Sequence, residues 1–258
     1  MIIECQHLYK SFQTQNGIIR ALENVNFRVN GNELVCIVGP SGCGKTTLLK
    51  IIAGLVKPTH GRIINSKASH NHHQNNAMVF QEHGLFPWMS LLDNVAFGLE
   101  MRGMGKKERR KRARIFIEKV GLTAFINNYP HQLSVGMRQR VGIARAFLIN
   151  PDTLLMDEPF GSLDSQTKIL LQEELLRLWR EDPKLILYVT HDIEEALLLA
   201  DKILLMTGRP GSIQEEIHIP LGRPREISDL EQPKIREIKY HIWKMLKDEV
   251  RKNLWIPV

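Results

Sequence analysis

The chain has 258 residues, of which 43% are hydrophobic and 24% charged, and its formal net charge is +7. This composition is ordinary for a globular protein, and the length allows one large domain or one domain with a subdomain. No apolar run reaches the roughly 18 residues that span a bilayer, and the N-terminus lacks the pattern of a signal peptide. Three widely spaced cysteines form neither a disulfide framework nor a metal motif, so the sequence predicts a reduced, cytoplasmic protein.

The N-terminal region favours antiparallel β-structure. Strands are predicted over residues 2–5 and 18–29, with turn dipeptides at 16–17 and 30–31. A buried parallel strand is then predicted over residues 33–38.

A phosphate-binding motif follows this strand. Residues 39–47 fit G-x-x-x-x-G-K-[ST], and the next residues predict a helix that ends before Gly54. Glycines let successive amides converge on phosphate oxygens, Lys45 supplies a charge for the β- and γ-phosphates, and Thr46 can ligate Mg²⁺. The predicted nucleotide-binding residues are Gly39, Ser41, Gly42, Cys43, Gly44, Lys45, Thr46 and Thr47. Cys43, at a helix N-terminus, is expected either to have a lowered thiol pKa or to serve as a small filler of the loop.

Beyond the loop, strands alternate with helices. Strands are predicted over residues 77–80, 153–156 and 185–189, with an amphipathic helix over 166–180. The pattern is helical from about 91 to 149, and again from about 233 to 252 in a tail beyond Leu221. This alternation indicates a mostly parallel α/β sheet with a helical insertion.

Two polar or basic segments leave alternatives open. Residues 65–76 predict a surface loop, whose His70, His72 and His73 are candidates for a metal site that lacks Cys or carboxylate partners. Residues 106–114 predict a basic helix face that is either solvated or close to phosphate or lipid headgroups. No nucleic-acid module accompanies the basic face, so we expect no nucleic-acid partner.

Polar residues at strand ends carry the predicted hydrolytic chemistry. Asp157 and Glu158 follow an apolar strand, at the edge where open α/β sheets bind ligands. Asp157 can hold Mg²⁺, and Glu158 can orient and deprotonate a water. Gln81 ends another strand and suits Mg²⁺ or the attacking water, while His191 can contact the γ-phosphate. The alternative is that the carboxylates only cap the next turn and the histidine is structural.

An ordered set of motifs resembles the ATP-binding-cassette (ABC) ATPases. Residues 133–140, Leu-Ser-Val-Gly-Met-Arg-Gln-Arg, resemble the signature motif of that family, and residues 162–164, Ser-Leu-Asp, follow the carboxylates as in the family. The resemblance covers residues 1 to about 220. It implies the fold of a P-loop NTPase cassette, with a mostly parallel core sheet, an antiparallel β-subdomain and a helical subdomain at about 82–150, followed by a C-terminal helical tail at 221–258.

The same resemblance implies a composite site. Phe12 would stack on adenine, with core packing as the alternative. Ser134 and Gly136 would bind the γ-phosphate of ATP held by a second copy, and Asp164 is a further nucleotide-binding residue. Val135 and Met137 depart from the usual Leu-Ser-Gly-Gly-Gln pattern, and we expect Val135 to slow turnover without preventing it.

Several segments resemble the nitrate, sulfonate and taurine group of ABC importers. They include residues 81–88 and 156–164, together with 208–211 and 220–225. Apolar residues 85–95 predict a partner surface for the coupling helix of a membrane subunit, with burial as the alternative for Leu92 and Val95. The implied partners are a second cassette, identical or paralogous, transmembrane permease subunits and indirectly a solute-binding protein.

The resemblance also implies a place and a role for the chain. It would be an ATPase coupled to transport, peripheral at the cytoplasmic face of the membrane, with ATP and Mg²⁺ as cofactors. Two alternatives remain: a soluble ABC ATPase acting on nucleic acid or in translation, and a weakly hydrolysing regulatory cassette, which the altered signature motivates.

Overall fold

A computed structural model of the chain describes residues 2–15, 17–66, 75–81 and 84–254. The described residues belong to two compact units. The first unit comprises residues 1–74 and 185–258, and the second comprises residues 75–184. The predicted histidine cluster, His70, His72 and His73, lies outside the described residues.

Regular elements cover most of the described chain. In chain order they are β1 (Ile2–Thr14), β2 (Gly17–Asn30), β3 (Leu34–Val38), α1 (Lys45–Ile52), β4 (His60–Asn65), β5 (Asn76–Val79), α2 (Leu91–Met101), α3 (Lys106–Lys119), α4 (Val135–Leu148), β6 (Thr153–Asp157), α5 (Ser165–Glu181), β7 (Leu185–Thr190), α6 (Ile193–Leu199), β8 (Lys202–Met206), β9 (Ile213–His218) and α7 (Pro233–Leu254). Short 3₁₀ helices cover Thr123–Phe125, Pro130–Gln132 and Ile227–Glu231.

The antiparallel sheet of the first unit has the strand order β2-β1-β4. Buried and exposed residues alternate over the second half of β2, where Val25, Phe27 and Val29 face the core. The predicted first strand, residues 2–5, was too short, since β1 continues to Thr14. The predicted loop at 65–76 was partly wrong, because Asn65 pairs with β1 as the last residue of β4.

The second sheet of the first unit contains β7, β3, β8 and β9 in that order. β3 pairs in parallel with β7 and β8, and every residue of these three strands is buried. Continuous burial explains the apolar runs that predicted β3 and β7. Val38, the last residue of β3, pairs with Thr190, the last residue of β7, so both strands end at the same sheet edge.

The second unit combines β5 and β6 with four helices. The two strands pair in parallel, with Val79 opposite Met156. The basic helix α3 buries only Ala113 and Ile117. Two of its arginines are committed to acidic partners within the unit: Arg110 binds both oxygens of Asp93 at 2.8 and 3.0 Å, and Arg109 binds Glu100 at 2.8 Å.

The C-terminal helix α7 packs on the first unit. Ile235 and Ile242 are buried, Lys239 binds Glu194 of α6 at 2.5 Å, and His241 lies 2.8 Å from Glu215 of β9. The helix is therefore docked along its length. Although α7 is long enough to cross a bilayer, neither it nor any other helix of the described chain is apolar enough to do so.

Most predicted elements agree with the structure within about two residues, the usual scatter of element ends. β4, α6, β8 and β9 were not predicted. β4 exposes four of its six residues, and β9 exposes three and buries only Ile217, so both lack the apolar pattern that marks a buried strand.

Candidate nucleotide site

The phosphate loop lies between the buried strand β3 and helix α1, and its backbone requires glycine. Gly42 has φ +75° and Gly44 has φ +107°. A Cβ on Gly44 would lie 2.8 Å from the Ala21 carbonyl oxygen, and one on Gly39 would lie 2.9 Å from the Cys43 sulfur. These approaches are closer than real Cβ contacts, so glycine is required at both positions.

Lys45, the first residue of α1, turns its ammonium back into the loop. Its Nζ donates to the carbonyl oxygens of Gly39, at 2.7 Å, and Pro40, at 2.9 Å. The residue is only 6% exposed, and it has no carboxylate partner among the described residues. A buried cation that bonds only neutral groups is poorly compensated, and an incoming phosphate would compensate it.

The remaining predicted residues of the loop frame this ammonium. Ser41 and Gly42 are exposed, while Thr46 and Thr47 are half-buried in the first turn of α1. Helix N-termini favour anions, because their amides lack partners within the helix and the helix dipole is positive there.

Cys43 corrects one sequence expectation. The residue is only 1% exposed, and burial raises the pKa of its thiol, although the nearby Lys45 charge partly opposes the shift. The expected lowering of this pKa is therefore wrong. The alternative expectation, a small residue that fills the loop, agrees with the burial of Cys43.

Phe12 lies near the end of β1, opposite Ile19 of β2. Its side chain is 38% exposed, and the Lys10 ammonium lies 4.7 Å from the ring centroid. The ring is thus not sealed in the core, and an exposed aromatic face can stack on a base.

His191 follows β7 and is exposed, on the sheet edge where β3 leads into the phosphate loop. The local backbone is held by Glu195, a buried carboxylate that sequence analysis missed. Glu195 accepts hydrogen bonds from the Tyr188 hydroxyl, at 2.6 Å, and from the Thr190 hydroxyl. The Thr190 oxygen in turn accepts the Asp192 amide at 3.0 Å, which fixes the turn that carries His191.

In the second unit, Asp157 and Glu158 stand where β6 ends. Asp157 is buried, and Glu158 is half-buried with a left-handed φ of +44°. A non-glycine residue in this region costs of order 1–3 kcal/mol, and such strain concentrates at functional sites. Gln81 is exposed two residues after the end of β5, the parallel neighbour of β6.

The predicted signature residues lie at the start of α4. Ser134 is exposed and caps the helix by accepting the Met137 amide at 3.3 Å. A Cβ on Gly136 would lie 3.1 Å from the Thr167 methyl group. Asp164 accepts the Thr167 amide at 3.0 Å, and hydrogen bonds from the amide and hydroxyl of Thr167 lower the pKa of this aspartate. The structure therefore brings Gly136 and Asp164 together through one residue.

The model of the ABC transporter family matches residues 22–161, more than half of the chain. The chain belongs to the ABC transporter family. An uncharacterized ABC transporter ATP-binding protein of Methanocaldococcus jannaschii is 45% identical, over 98% of this chain and 94% of its own length.

Two relatives with stated solutes are similarly close. The nitrate import ATP-binding protein NrtD of Synechocystis sp. is 44% identical over 93% of this chain and 88% of that protein. The taurine import ATP-binding protein TauB of Escherichia coli is 44% identical over 86% of each chain. The predicted resemblance to the nitrate and taurine group is thereby confirmed.

Solved ABC structures share the fold. A dimeric bacterial ABC transporter cassette superimposes with a TM-score of 0.75 at 35% identity, over 85% of this chain and all of that one. The same cassette in a dimeric post-hydrolysis state, bound to ADP and Pi, gives a TM-score of 0.76. The predicted ABC cassette fold is confirmed, and the chain is an ATP-binding ATPase coupled to transport.

In this ABC chain, the apolar segment 85–95 is only partly a surface. Leu91, Leu92 and Val95 are buried in the second unit, so the predicted partner surface is wrong for these three residues, and the alternative of burial holds for Leu92 and Val95. Trp88 is 71% exposed and lies 5.6 Å from the Phe86 ring. The exposed apolar surface therefore narrows to the start of the segment.

Asn94 organises this segment and was missed by sequence analysis. Its side chain is fully buried, accepts the Phe86 amide at 2.8 Å and donates to the carbonyl oxygens of Phe86, Met89 and Ser90. One side chain thus closes the turn that presents Trp88. A polar residue between the apolar Leu92 and Val95, next to Asp93, was the available signal.

Residues 207–211, between β8 and β9, form a turn against the phosphate loop. The Gly211 amide donates to the Ala21 oxygen and its carbonyl accepts the Glu23 amide, both at 3.0 Å. Arg209 Nε donates to the Gly42 oxygen at 3.3 Å. Nothing local in the Gly-Arg-Pro-Gly run indicates this distant contact, so the sequence did not predict it.

Proposed function

We propose that this chain hydrolyses ATP to drive an importer of a small solute, with nitrate, a sulfonate or taurine as the class of cargo. The observation that carries the hydrolytic part is the pairing of a buried Asp157 with a left-handed Glu158 at the end of a fully buried strand. The import part is supported by the 44% identity to nitrate and taurine import subunits.

ATP binding is assigned first to the phosphate loop. The amides of residues 39–47 cradle the phosphates, and the poorly compensated Lys45 ammonium neutralises part of their charge. Phe12 stacks on adenine with its exposed ring. This assignment rests on the glycine-dependent backbone of the loop and on the buried Lys45 ammonium, which has no carboxylate partner among the described residues.

Mg²⁺ is proposed to accompany ATP. No cluster of three or more His, Cys, Asp or Glu that could hold a metal occurs among the described residues. That finding fits Mg²⁺, which proteins hold through one or two oxygen ligands together with substrate phosphates and water. The candidate ligands are the Thr46 hydroxyl in the first unit and the Asp157 carboxylate and Gln81 amide oxygen in the second, as the family resemblance implies. When bound, the ion would neutralise charge on the phosphate oxygens.

Hydrolysis is assigned to residues at the strand ends. Glu158 orients and deprotonates the attacking water, His191 hydrogen-bonds near the γ-phosphate, and Gln81 helps to position the water. Because phosphoryl transfer needs little covalent chemistry from the protein, positioning and charge stabilisation account for the rate.

The working form is proposed to be a dimer of cassettes, identical or paralogous. Ser134 and Gly136 of one chain contact the γ-phosphate on the other, with Asp164 at the same interface. The exposure of Ser134 and the dimeric state of the similar solved cassette support this assignment.

The membrane partners are proposed to be permease subunits, served by a solute-binding protein. The chain would sit at the cytoplasmic face of the membrane, with the surface around Trp88 receiving a permease helix. Copurification of the chain with membrane subunits, followed by transport assays on nitrate, sulfonates and taurine, tests this part. Nucleic-acid-stimulated ATPase activity without a membrane partner would contradict it.

Glu158→Gln tests the hydrolytic assignment. We expect steady-state ATPase activity to fall by about 10²-fold or more, because the general base is lost while the shape is kept. The variant should also trap ATP in a dimer, seen by size-exclusion chromatography. Glu173→Gln, on the exposed side of α5, is the matched control and should leave both measurements unchanged. Hydrolysis retained in Glu158→Gln would contradict the assignment.

One observation favours a second candidate, a weakly hydrolysing regulatory cassette. Val135 places a branched side chain, 38% exposed, where the family pattern has glycine. In that case the wild-type chain would bind ATP and dimerise but turn over no faster than Glu158→Gln.

A further inference from the structure

The turn at residues 207–211 packs closely on the phosphate loop of the first unit. A Cβ on Gly211 would lie only 2.1 Å from the Cys43 carbonyl oxygen, and Met206, just before the turn, lies 2.9 Å from where a Cβ on Gly39 would be. Such contact leaves no room for independent movement of turn and loop. The turn is therefore part of the wall of the phosphate loop.

Arg209 brings a second cation to this loop. Its Nε donates to the Gly42 carbonyl oxygen at 3.3 Å, and the side chain is otherwise exposed. Within the described part of the chain, its four other N–H groups have no protein partner and no carboxylate pairs with it. Two cations, Lys45 and Arg209, thus flank one anion-binding loop with no acidic compensation among the described residues. Guanidinium donors in such a position match phosphate oxygens.

The C-terminal helix holds the residue that precedes this arginine. Glu249 of α7 is buried and accepts the Gly208 amide at 2.8 Å through Oε2, while its Oε1 accepts Lys252 at 2.5 Å. Burial acts to raise the pKa of Glu249, but these two hydrogen bonds outweigh it and lower the pKa. The carboxylate is therefore ionised at neutral pH and keeps its hold on the turn.

We propose that Arg209 is a further phosphate-contacting residue of the ATP site, and that Glu249 positions it from the C-terminal helix. This gives the tail a task in nucleotide binding that its sequence pattern does not reveal. The inference rests on the proposed assignment of residues 39–47 as the ATP site. It adds one ligand to that site and links the site to an element more than 160 residues away in sequence.

The first test compares nucleotides of different phosphate number. We expect Arg209→Ala to raise the Kd for ATP about tenfold, the effect of losing a partly screened bond to a charged group. The Kd for AMP should stay within about twofold, because AMP lacks the outer phosphates. Arg236→Ala, an exposed arginine on α7, is the matched control and should change neither value. Arg209→Lys should recover part of the ATP affinity.

The outcomes separate this inference from the proposed function. If the wild type binds ATP and Arg209→Ala binds it equally well, Arg209 is not a phosphate ligand. If ATP binding is unchanged but ATP-driven dimerisation weakens, the arginine contacts the second cassette and the proposal is overturned. If the wild type itself binds no ATP, both the proposed function and this inference fail.

The second test addresses positioning by Glu249. Glu249→Ala should raise the KM for ATP several-fold with little change in kcat, and Glu249→Gln, which keeps an acceptor for Gly208, should restore most of it. Because Glu249 is proposed to act through Arg209, Glu249→Ala should add little in an Arg209→Ala background. Glu237→Gln, exposed on the same helix, is the control. Additive losses, or equal weakening of AMP and ATP, would assign Glu249 a structural role only.

Discussion

The phosphate loop and the signature segment both begin a helix, yet their residues are constrained differently. In the loop, Gly44 lies against the Ala21 backbone, and Lys45 is bonded to the loop's own carbonyl oxygens. In the signature segment, Ser134 and Val135 are exposed, and Gly136 approaches only a side-chain methyl group. The loop is held by its own chain, whereas the constraint on the signature segment, as proposed here, lies in a second cassette.

This difference explains where the sequence departs from the family pattern. A substitution in the loop conflicts at once with neighbouring backbone, which cannot move cheaply. In the signature segment, the Val135 side chain is exposed, and a Cβ on Gly136 would approach only a side-chain methyl group, at 3.1 Å. Val135 and Met137 are therefore compatible with folding, and we expect their effects, if any, on turnover and assembly rather than on stability.

The largest effect is expected from Gly44→Ala. The new Cβ would meet the Ala21 oxygen at 2.8 Å while φ is +107°, so the loop must shift. We expect ATP affinity to fall about 100-fold, and strain of this kind costs roughly 1–3 kcal/mol of stability. Isothermal titration and denaturant unfolding measure the two quantities.

Gly103→Ala is the control for the cost of placing a side chain on a residue with positive φ. Gly103 also has a positive φ, +77°, but a Cβ there meets no atom within 4 Å. Its substitution should cost stability without affecting ATP binding. Equal loss of stability in both variants, with ATP binding kept in Gly44→Ala, would show that the loop is not held by its own chain.

Thiol labelling tests whether Cys43 is buried within the phosphate loop in solution. Because burial raises the pKa of Cys43, we expect alkylation in the native protein to be more than about tenfold slower than in the unfolded chain. Cys5, whose pKa is raised to about 12, should be protected likewise. Fast labelling of native Cys43 that ATP blocks would reverse this conclusion.

The raised pKa values of Cys43 and Cys5 make the stability of the fold depend on pH. The folded chain holds these thiol protons more tightly than the unfolded chain, in which the thiol pKa is about 8.5. This contribution to stability is therefore complete below that value and decreases as the pH rises above it. Unfolding midpoints in urea between neutral and strongly alkaline pH check the sign.

The parts that sequence predicted are those whose cause is local. The loop motif, the buried strands and the capped helices each depend on residues close together in the chain. Two of the missed parts depend on distant partners: β4 is defined by pairing with β1, and the 207–211 turn by its contact with Gly42. The missed α6 and β8 do carry local signals, namely the Asp192 cap and a largely apolar run. Cys43 was misjudged because its burial comes from such a contact and outweighs the helix N-terminus.

Ser134→Ala is expected to affect nucleotide contacts only across the dimer. The change removes the cap on the Met137 amide, which costs about 1 kcal/mol, and the proposed γ-phosphate contact. ATP-driven dimerisation should weaken about tenfold, as expected for one charge-assisted bond, while ATP affinity of the monomer stays unchanged. Ser90→Ala removes an equivalent cap from α2 and serves as the control. Weaker dimerisation in both variants would reduce the effect to helix capping.

The smallest effect is expected from Val135→Gly, and it asks whether the exposed signature segment limits turnover. Glycine would allow closer backbone approach to a partner's phosphate, so steady-state ATPase activity should rise about threefold, equivalent to less than 1 kcal/mol of activation free energy. Stability should fall slightly, since glycine is a poor helix former at the start of α4. Met137→Gln is the comparison variant, because it restores the family residue at the other altered position without removing a side chain next to the backbone. A rise in ATPase activity in Val135→Gly alone would assign the effect to closer backbone approach, whereas a rise in both variants would assign it to restoration of the motif. Unchanged ATPase rate and unchanged dimerisation in Val135→Gly would show that the branched side chain does not slow the chain.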